Sequence, residues 1–194
     1  MIKLLSDYIP LNEEENSDRD VMIAYFKAFD NVFLRDNHFG HMTCSPWIIN
    51  KDFTKVLMIY HNIYNSWGWC GGHCDGDDDL KRVALKEGKE ETGLLTLDLC
   101  SDEILSLEIL PVPAHVKHDN FVSAHVHLNI TYLCIADESE ELFIKPDENS
   151  GVRWIGIDEI DKYVSEEEMK PVYHKLVKKS EIMITNLKEK NNLL

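Results

Sequence analysis

Between residues 17 and 34 the apolar positions Val21, Met22, Tyr25, Phe26, Phe29 and Phe33 recur every three or four residues, behind the acidic run Glu13-Glu14-Glu15. That period predicts one amphipathic helix. From His41 to Tyr60 the pattern becomes strand-like, with Trp47-Ile48-Ile49 and the run from Val56 to Tyr60 separated by the polar Asn50-Lys51-Asp52. This predicts a hairpin. A glycine-rich loop, Trp67-Gly68-Trp69-Cys70-Gly71-Gly72, and an acidic turn from Asp75 to Asp79 lead into a helical stretch, 80–92, that Gly93 can terminate. Strand candidates follow at 105–110, 126–133 and 152–155, with a loop carrying Pro111, Pro113 and Asp119-Asn120 between the first two. Residues 166–190 read as a final helix. Strands and helices alternate irregularly, which predicts the α/β class: a mixed β-sheet between helices on both faces.

Charge narrows the function. In 194 residues, 35 acids stand against 20 bases, a formal charge of −15. Such a surplus repels nucleic-acid phosphates and anionic lipid, so neither nucleic acid nor membrane is an expected partner. No apolar run approaches the roughly 18 residues of a membrane span, and the expected location is the cytoplasm. Five cysteines without a disulfide spacing read as reduced thiols. A zinc site on Cys70, His73 and Cys74 is the weaker reading, because it lacks a second pair of ligands.

The informative segment runs from Gly71 to Leu94, where Asp75, Asp77, Asp78, Asp79, Glu87, Glu90 and Glu91 crowd around Lys81, Arg82, Lys86 and Lys89. The commonest fate of such a stretch is a solvated helix laced with ion pairs. On a wheel of about 100° per residue, however, Leu80, Val83 and Ala84 form one apolar stripe that Glu87 and Glu91 continue, with Glu90 at its edge. Arg82, Lys86 and Lys89 fall on the opposite side. Carboxylates on a partly buried face cost on the order of several kcal/mol per uncompensated charge, so each needs a proton, a cationic partner or a metal. Oxygen ligands at i, i+3 and i+4 suit a hard cation such as Mg²⁺ or Mn²⁺, which would also let an acidic protein accept phosphates. Gly71-Gly72, without side chains, lets the backbone approach that metal or a phosphate.

The segment resembles the signature of the Nudix hydrolases, which is Gly, five residues, Glu, seven residues, Arg-Glu, an aliphatic, any residue, Glu-Glu, any residue, Gly, an aliphatic. Here it reads Gly72, five residues, Asp78, seven residues, then Lys86-Glu87-Gly88-Lys89-Glu90-Glu91-Thr92-Gly93-Leu94, without a gap. Asp78, Lys86 and Gly88 depart from it. The first two keep their charge but shorten one partner and replace a forked guanidinium with a point charge. Gly88 should cost about 1 kcal/mol of helix stability relative to Ala. The likeness spans about His41 to Val164. It implies a Nudix-type α/β/α sandwich over 41–194, including the C-terminal helix, with residues 1–40 as an N-terminal helical extension. The aromatic face of that extension is expected to cover either an exposed sheet or a partner subunit in a homodimer.

The resemblance further implies that Glu87 and Glu91, with the carbonyl of Gly71, bind Mg²⁺. Glu90 would be a further ligand or assist proton transfer, so Glu90 and Glu87 are the catalytic candidates. Gly72, Trp47 and Glu148 are the candidates for the substrate, and Glu148 or Asp119 for a completing loop acid. Trp67 and Trp69 are aromatic alternatives with a core role equally open. His125 and His127 alternate on one strand face and, with His115 and His118, form a candidate metal cluster, although hydrogen bonding is the commoner role. Pro111, seventeen residues beyond Leu94, resembles the pattern of ADP-ribose-hydrolysing members. The expected function is cleavage of the diphosphate linkage of a nucleoside diphosphate linked to another group: ADP-ribose-like, nucleotide sugar, dinucleotide or nucleoside triphosphate. The alternative is a Nudix-like module that binds and senses a nucleotide without cleaving it.

Overall fold

The computed structural model describes residues 1–117 and 119–192, without the side chains of 117, 191 and 192. Its centre is a parallel pair, β1 (Gly40–Asn50) and β9 (His125–Ala136), running in register from Gly40↔Val126 to Asn50↔Ala136. Outward from β1 lie β2 (Lys55–His61) and β10 (Asn149–Gly156), and outward from β9 lie β5 (Asp98–Leu99) and β6 (Ser106–Val112), all antiparallel to their neighbours. The sheet is therefore mixed, as the irregular alternation of elements predicts. A separate hairpin pairs β7 (His115–Lys117) with β8 (Asn120–Val122), so part of the predicted proline loop is strand, and Pro111 itself sits in β6 opposite Val126.

The sheet splits where the site will form. β1 meets β2 at Ile49↔Val56, but farther along β1 pairs β4 (Gly72–His73) at Thr43 and Cys44, while β2 pairs β3 (Ser66–Gly68) from Ile59 to His61. The glycine-rich loop joining β3 to β4 is thus inserted in the split.

Alternation along β1 gives each face its own core. Met42, Cys44 and Ile48 pack with Leu80, Val83 and Ala84 of α3 (Leu80–Thr92), whereas Trp47 and Ile49 pack with Tyr173 and Leu176 of α5 (Lys170–Asn192). Helix α3 begins at Asp79, whose side chain accepts from the Arg82 amide, and ends at Gly93, whose φ of 77° closes the last turn on the Lys89 carbonyl. A short helix, α4 (Ile160–Tyr163), precedes α5. Among the described residues no helix is long and apolar enough to cross a membrane.

The N-terminal region differs from its sequence pattern. The apolar period predicts one helix over 17–34, but α1 (Ile2–Asp7) is followed by α2 (Glu13–Ala28), which starts where the Asn12 side chain accepts from the Glu15 amide. The helix stops at Phe29, so Phe33 lies in the turns that follow. The aromatic residues still share one surface: Tyr25, Phe26, Phe29 and Phe33 pack against the core, and the Tyr25 hydroxyl bonds Asn37 Oδ1 at 2.8 Å. Of the two expected uses of this face, the one seen is cover for the chain's own sheet.

Gly88 is explained by packing. A Cβ there would lie 2.6 Å from Leu97 Cδ2 and 3.0 Å from Pro46 Cγ, so Leu97 and Pro46 fill the space an aliphatic residue would take. Gly88→Leu is expected to lose about 1–3 kcal/mol by overpacking, against a helix-propensity gain of about 1 kcal/mol. A urea-unfolding midpoint that rises in this variant would refute the packing account.

Candidate active site

Helix α3 turns its carboxylates inward as the wheel requires. Glu87 and Glu91 retain only 8% and 3% of their exposure, one turn apart, while Glu90 lies at the rim with access to solvent. The Gly71 amide donates to Glu91 Oε2 at 3.1 Å, and a Cβ at Gly72 would sit 2.3 Å from Glu87 Cδ. Only glycine lets the backbone pass that close to the Glu87 carboxylate. Asn149, at the start of β10, donates its Nδ2 to the Glu91 carbonyl at 2.9 Å and ties the end of α3 to the sheet.

A fourth acid reaches the cluster from the loop before β10. Glu148 hydrogen-bonds the Glu91 carboxyl, and burial together with this neighbour pushes Glu91 well above the usual carboxylate range. Burial also raises Glu87, with Lys86 opposing it. One of the two facing carboxyls, Glu91 or Glu148, therefore holds a proton at neutral pH when no cation is bound.

The wheel places Lys86 on the far side, and here the structure corrects it. Lys86 Nζ lies 3.2 Å from Glu87 Oε1 and 3.8 Å from Glu90 Oε1, since a four-carbon stem can curl along the helix surface. Lys145, which the sequence did not single out, stands 3.7 Å from Glu90 and 3.1 Å from Glu148. Lys86 therefore serves the acidic cluster rather than Asp78, which is exposed beside α1 in a shallow depression with Met1, Leu4 and Asp102. Arg82 pairs with Asp77 at 2.6 Å.

This donor set fits a hard divalent cation. Four carboxylates, Glu87, Glu90, Glu91 and Glu148, against two ammonium groups, Lys86 and Lys145, leave two negative charges when all are ionised, and every anionic donor is oxygen. The space beside Glu87 that a Cβ at Gly72 would fill keeps the backbone close to that set.

Other sequence candidates fall elsewhere. Trp47 is corrected to a core residue: it is fully buried, its ring stacked on Tyr173 at 5.8 Å and set edge-on to Trp69, so no face remains for a nucleobase. Asp119 is exposed between β7 and β8. Cys70 and Cys74 are free and buried, and burial raises both thiols, so they are core residues rather than a zinc pair. His115 is also on β7, with Nδ1 against the Pro113 carbonyl, and His118 lies outside the described residues. His125 and His127 instead meet His41 and His73.

Sequence reading missed a buried polar row on the α5 face of the sheet. Thr43 and Ser45 hydroxyls donate to Asn129 Oδ1, each at 3.0 Å, and Asn129 Nδ2 donates to Glu108 Oε2 at 3.3 Å. The signal was available as polar residues at alternate positions, 41, 43 and 45 on β1 and 127, 129 and 131 on β9.

Stacked acids on a helix beside a glycine turn equip a protein to handle phosphoanhydrides through a cation, and the class this fold and site define is the pyrophosphohydrolases. The family model for the NUDIX domain matches residues 43–177. The chain belongs to the Nudix family. Among solved structures it resembles an Ap4A hydrolase from C. elegans (TM-score 0.54, 17% identity, covering 75% of this chain and 98% of that one). It is also similar to the Nudix hydrolase RenU from M. smegmatis (TM-score 0.54, 14% identity, 76% and 88% covered). A third likeness is the dihydroneopterin triphosphate pyrophosphohydrolase of E. coli (TM-score 0.51, 15% identity, 70% and 94% covered). Identities this low speak for the fold. No curated protein matches the chain.

Gly72→Ala tests the close approach. The added methyl would press on the end of a flexible side chain, so the fold should persist with little change in melting temperature while Glu87 is displaced by about 1 Å. A shift of that size costs on the order of 10²-fold in turnover. Unchanged turnover would show that the position of Glu87 is unimportant.

Proposed function

We propose that the chain cleaves the diphosphate linkage of a nucleoside diphosphate joined to another group, with Mg²⁺ or Mn²⁺ held by the Gly71 carbonyl, Glu87, Glu90 and Glu91. The observation that carries this reading is the burial of Glu87 and Glu91 on successive turns of α3 against the Gly71-Gly72 backbone. When bound, the cation would acidify a water and neutralise diphosphate oxygens. Glu90 keeps solvent access beside Lys86 and Lys145, within reach of an incoming water whose proton it would take. Glu148 shares its proton with Glu91 and is the loop acid placed to assist. Lys145 orients Glu148 and Glu90 together.

The test is a screen of Ap4A, ADP-ribose, nucleotide sugars and nucleoside triphosphates with Mg²⁺, reading nucleoside monophosphate or phosphate release. At least one should be cleaved, with activity abolished by EDTA and restored by Mg²⁺ or Mn²⁺. A nucleotide that stabilises the protein yet emerges intact would instead favour a sensing module.

A further inference from the structure

Four histidines meet on the sheet face opposite the acidic cluster, in the row that holds Thr43 and Asn129. His41 on β1 stands opposite His127 on β9, and His73 on β4 pairs opposite Thr43, so three strands deliver imidazoles to the same sheet face. One ligating atom each from His41, His73 and His127 lies within 4.8 Å of the other two. The ring centroids of His41–His73, His41–His127 and His73–His127 are 4.9, 5.1 and 4.9 Å apart, and His125 is 4.9 Å from His41 and 5.1 Å from His127. Imidazoles bound at about 2.0–2.1 Å on a tetrahedral ion place their centroids roughly 5 Å apart.

The hydrogen bonds around the rings point the same way. His41 Nδ1 lies 3.2 Å from the Asn37 carbonyl, which fixes the proton on Nδ1 and leaves a lone pair on Nε2. That Nε2 is buried and meets no hydrogen-bond partner among the described residues, in a residue retaining 5% of its exposure. An unpaired buried polar atom is costly and calls for an explanation. His125 repeats the arrangement: its Nδ1 lies 2.8 Å from the Ser123 carbonyl, and its Nε2 lies 3.3 Å from His127 Nε2. A ring nitrogen anchored on a backbone carbonyl with the other facing inward is the orientation that metal-bound histidines take. Arg35, the nearby cation, is engaged by Asp75 in a two-point pair at 2.5 and 2.6 Å.

We propose that His41, His73 and His127 form a second metal site, for a borderline transition cation of the Zn²⁺ type, with His125 at its edge. Nitrogen donors select against Mg²⁺, whereas the carboxylates across the sheet favour it, so the two sites sort their ions by donor chemistry. Bringing the three nitrogens onto a zinc-sized ion requires each to move inward by less than about 1 Å. The bound ion would pin the two-residue β4 to β1 and β9, and with it Gly72, whose backbone borders Glu87. The proposal does not depend on which substrate is cleaved, or on whether one is.

The test is a Co²⁺ titration of the metal-stripped full chain in excess Mg²⁺, following visible d–d absorption and displacement by Zn²⁺. Wild type and Glu91→Gln should each bind one equivalent with the intense bands of a four-coordinate nitrogen site. His41→Gln and His127→Gln should bind at least 100-fold more weakly, with folding checked by circular dichroism. Should either of these fail to fold, the more exposed His73→Gln carries the same prediction. The proposal is overturned if wild type takes up no Co²⁺ in Mg²⁺, if the histidine variants bind as tightly as wild type, or if Glu91→Gln rather than a histidine change abolishes the bands.

Discussion

Glu91→Gln is expected to lower kcat by on the order of 10³-fold, about 4 kcal/mol of barrier, while raising the stability of the metal-free protein. The two effects have one origin. Glu91 is nearly inaccessible and faces Glu148, so its ionised form is disfavoured unless a cation is present. The folded-state pKa lies above that of the unfolded chain, so the native state binds the extra proton between the two values and stability falls as pH rises through that window. In EDTA, wild-type stability should therefore decline from the ordinary glutamate range upward, by at most about 1.4 kcal/mol per pH unit for this group. The glutamine variant should lack that component. Adding Mg²⁺ should restore wild type most strongly at alkaline pH, because proton and cation compete for the same oxygens. Thermal melts from pH 5 to 9 with and without Mg²⁺, beside kcat at saturating substrate, read all of this. Retention of most turnover would remove Glu91 from the machinery, and a flat wild-type melt in EDTA would remove the buried-charge account.

Glu15→Ala is expected to be the most damaging change to stability, at about 3–5 kcal/mol. Glu15 is fully buried and accepts from the Tyr8 hydroxyl at 2.5 Å, the Leu11 amide at 2.6 Å, the Ser106 hydroxyl at 2.9 Å and Lys179 Nζ at 2.8 and 2.9 Å. Lys175 adds a contact at 3.6 Å and also pairs with Glu108 at 3.1 Å. These contacts join α1, α2, β6 and α5, so segments at opposite ends of the chain close on one carboxylate. Alanine would leave Lys179 in a low-dielectric site with its main anionic partner gone, and the Tyr8 hydroxyl with only the longer contact to the Leu105 carbonyl at 3.4 Å. The paired change Glu15→Leu with Lys179→Leu should recover much of the loss, since it removes both buried charges. Urea unfolding of the three proteins measures the difference. A loss below about 1 kcal/mol for Glu15→Ala would mean that water reaches Lys179 and that the burial is not as described.

The helix from 80 to 92 was legible to the residue, because its apolar stripe and its terminating Gly93 agree, and the structure adds Asp79 as its cap. The central strands were legible in position, and β9 runs three residues beyond the expected 126–133, through Cys134, Ile135 and Ala136, because pairing with Ile48, Ile49 and Asn50 of β1 carries the strand on. Strands β3 and β4, at three and two residues, leave no period to read. Trp47 illustrates the limit for single side chains, because an aromatic residue in a strand reads alike whether it faces a ligand or Tyr173.

The sequence by itself determined the inward acids of α3 and the glycine pair that admits them, because both rest on local spacing along one helix and one turn. It also determined the mixed α/β class and the acidic surface. Only the tertiary structure decided that Lys145 and Glu148 reach that helix, that residues 8 and 15 lock onto 175 and 179, and that four histidines from three strands converge. Each of these joins residues far apart in the chain: helix and loop packing brings the first two sets together, and strand register aligns the histidines, where a one-residue slip would send each to the opposite face.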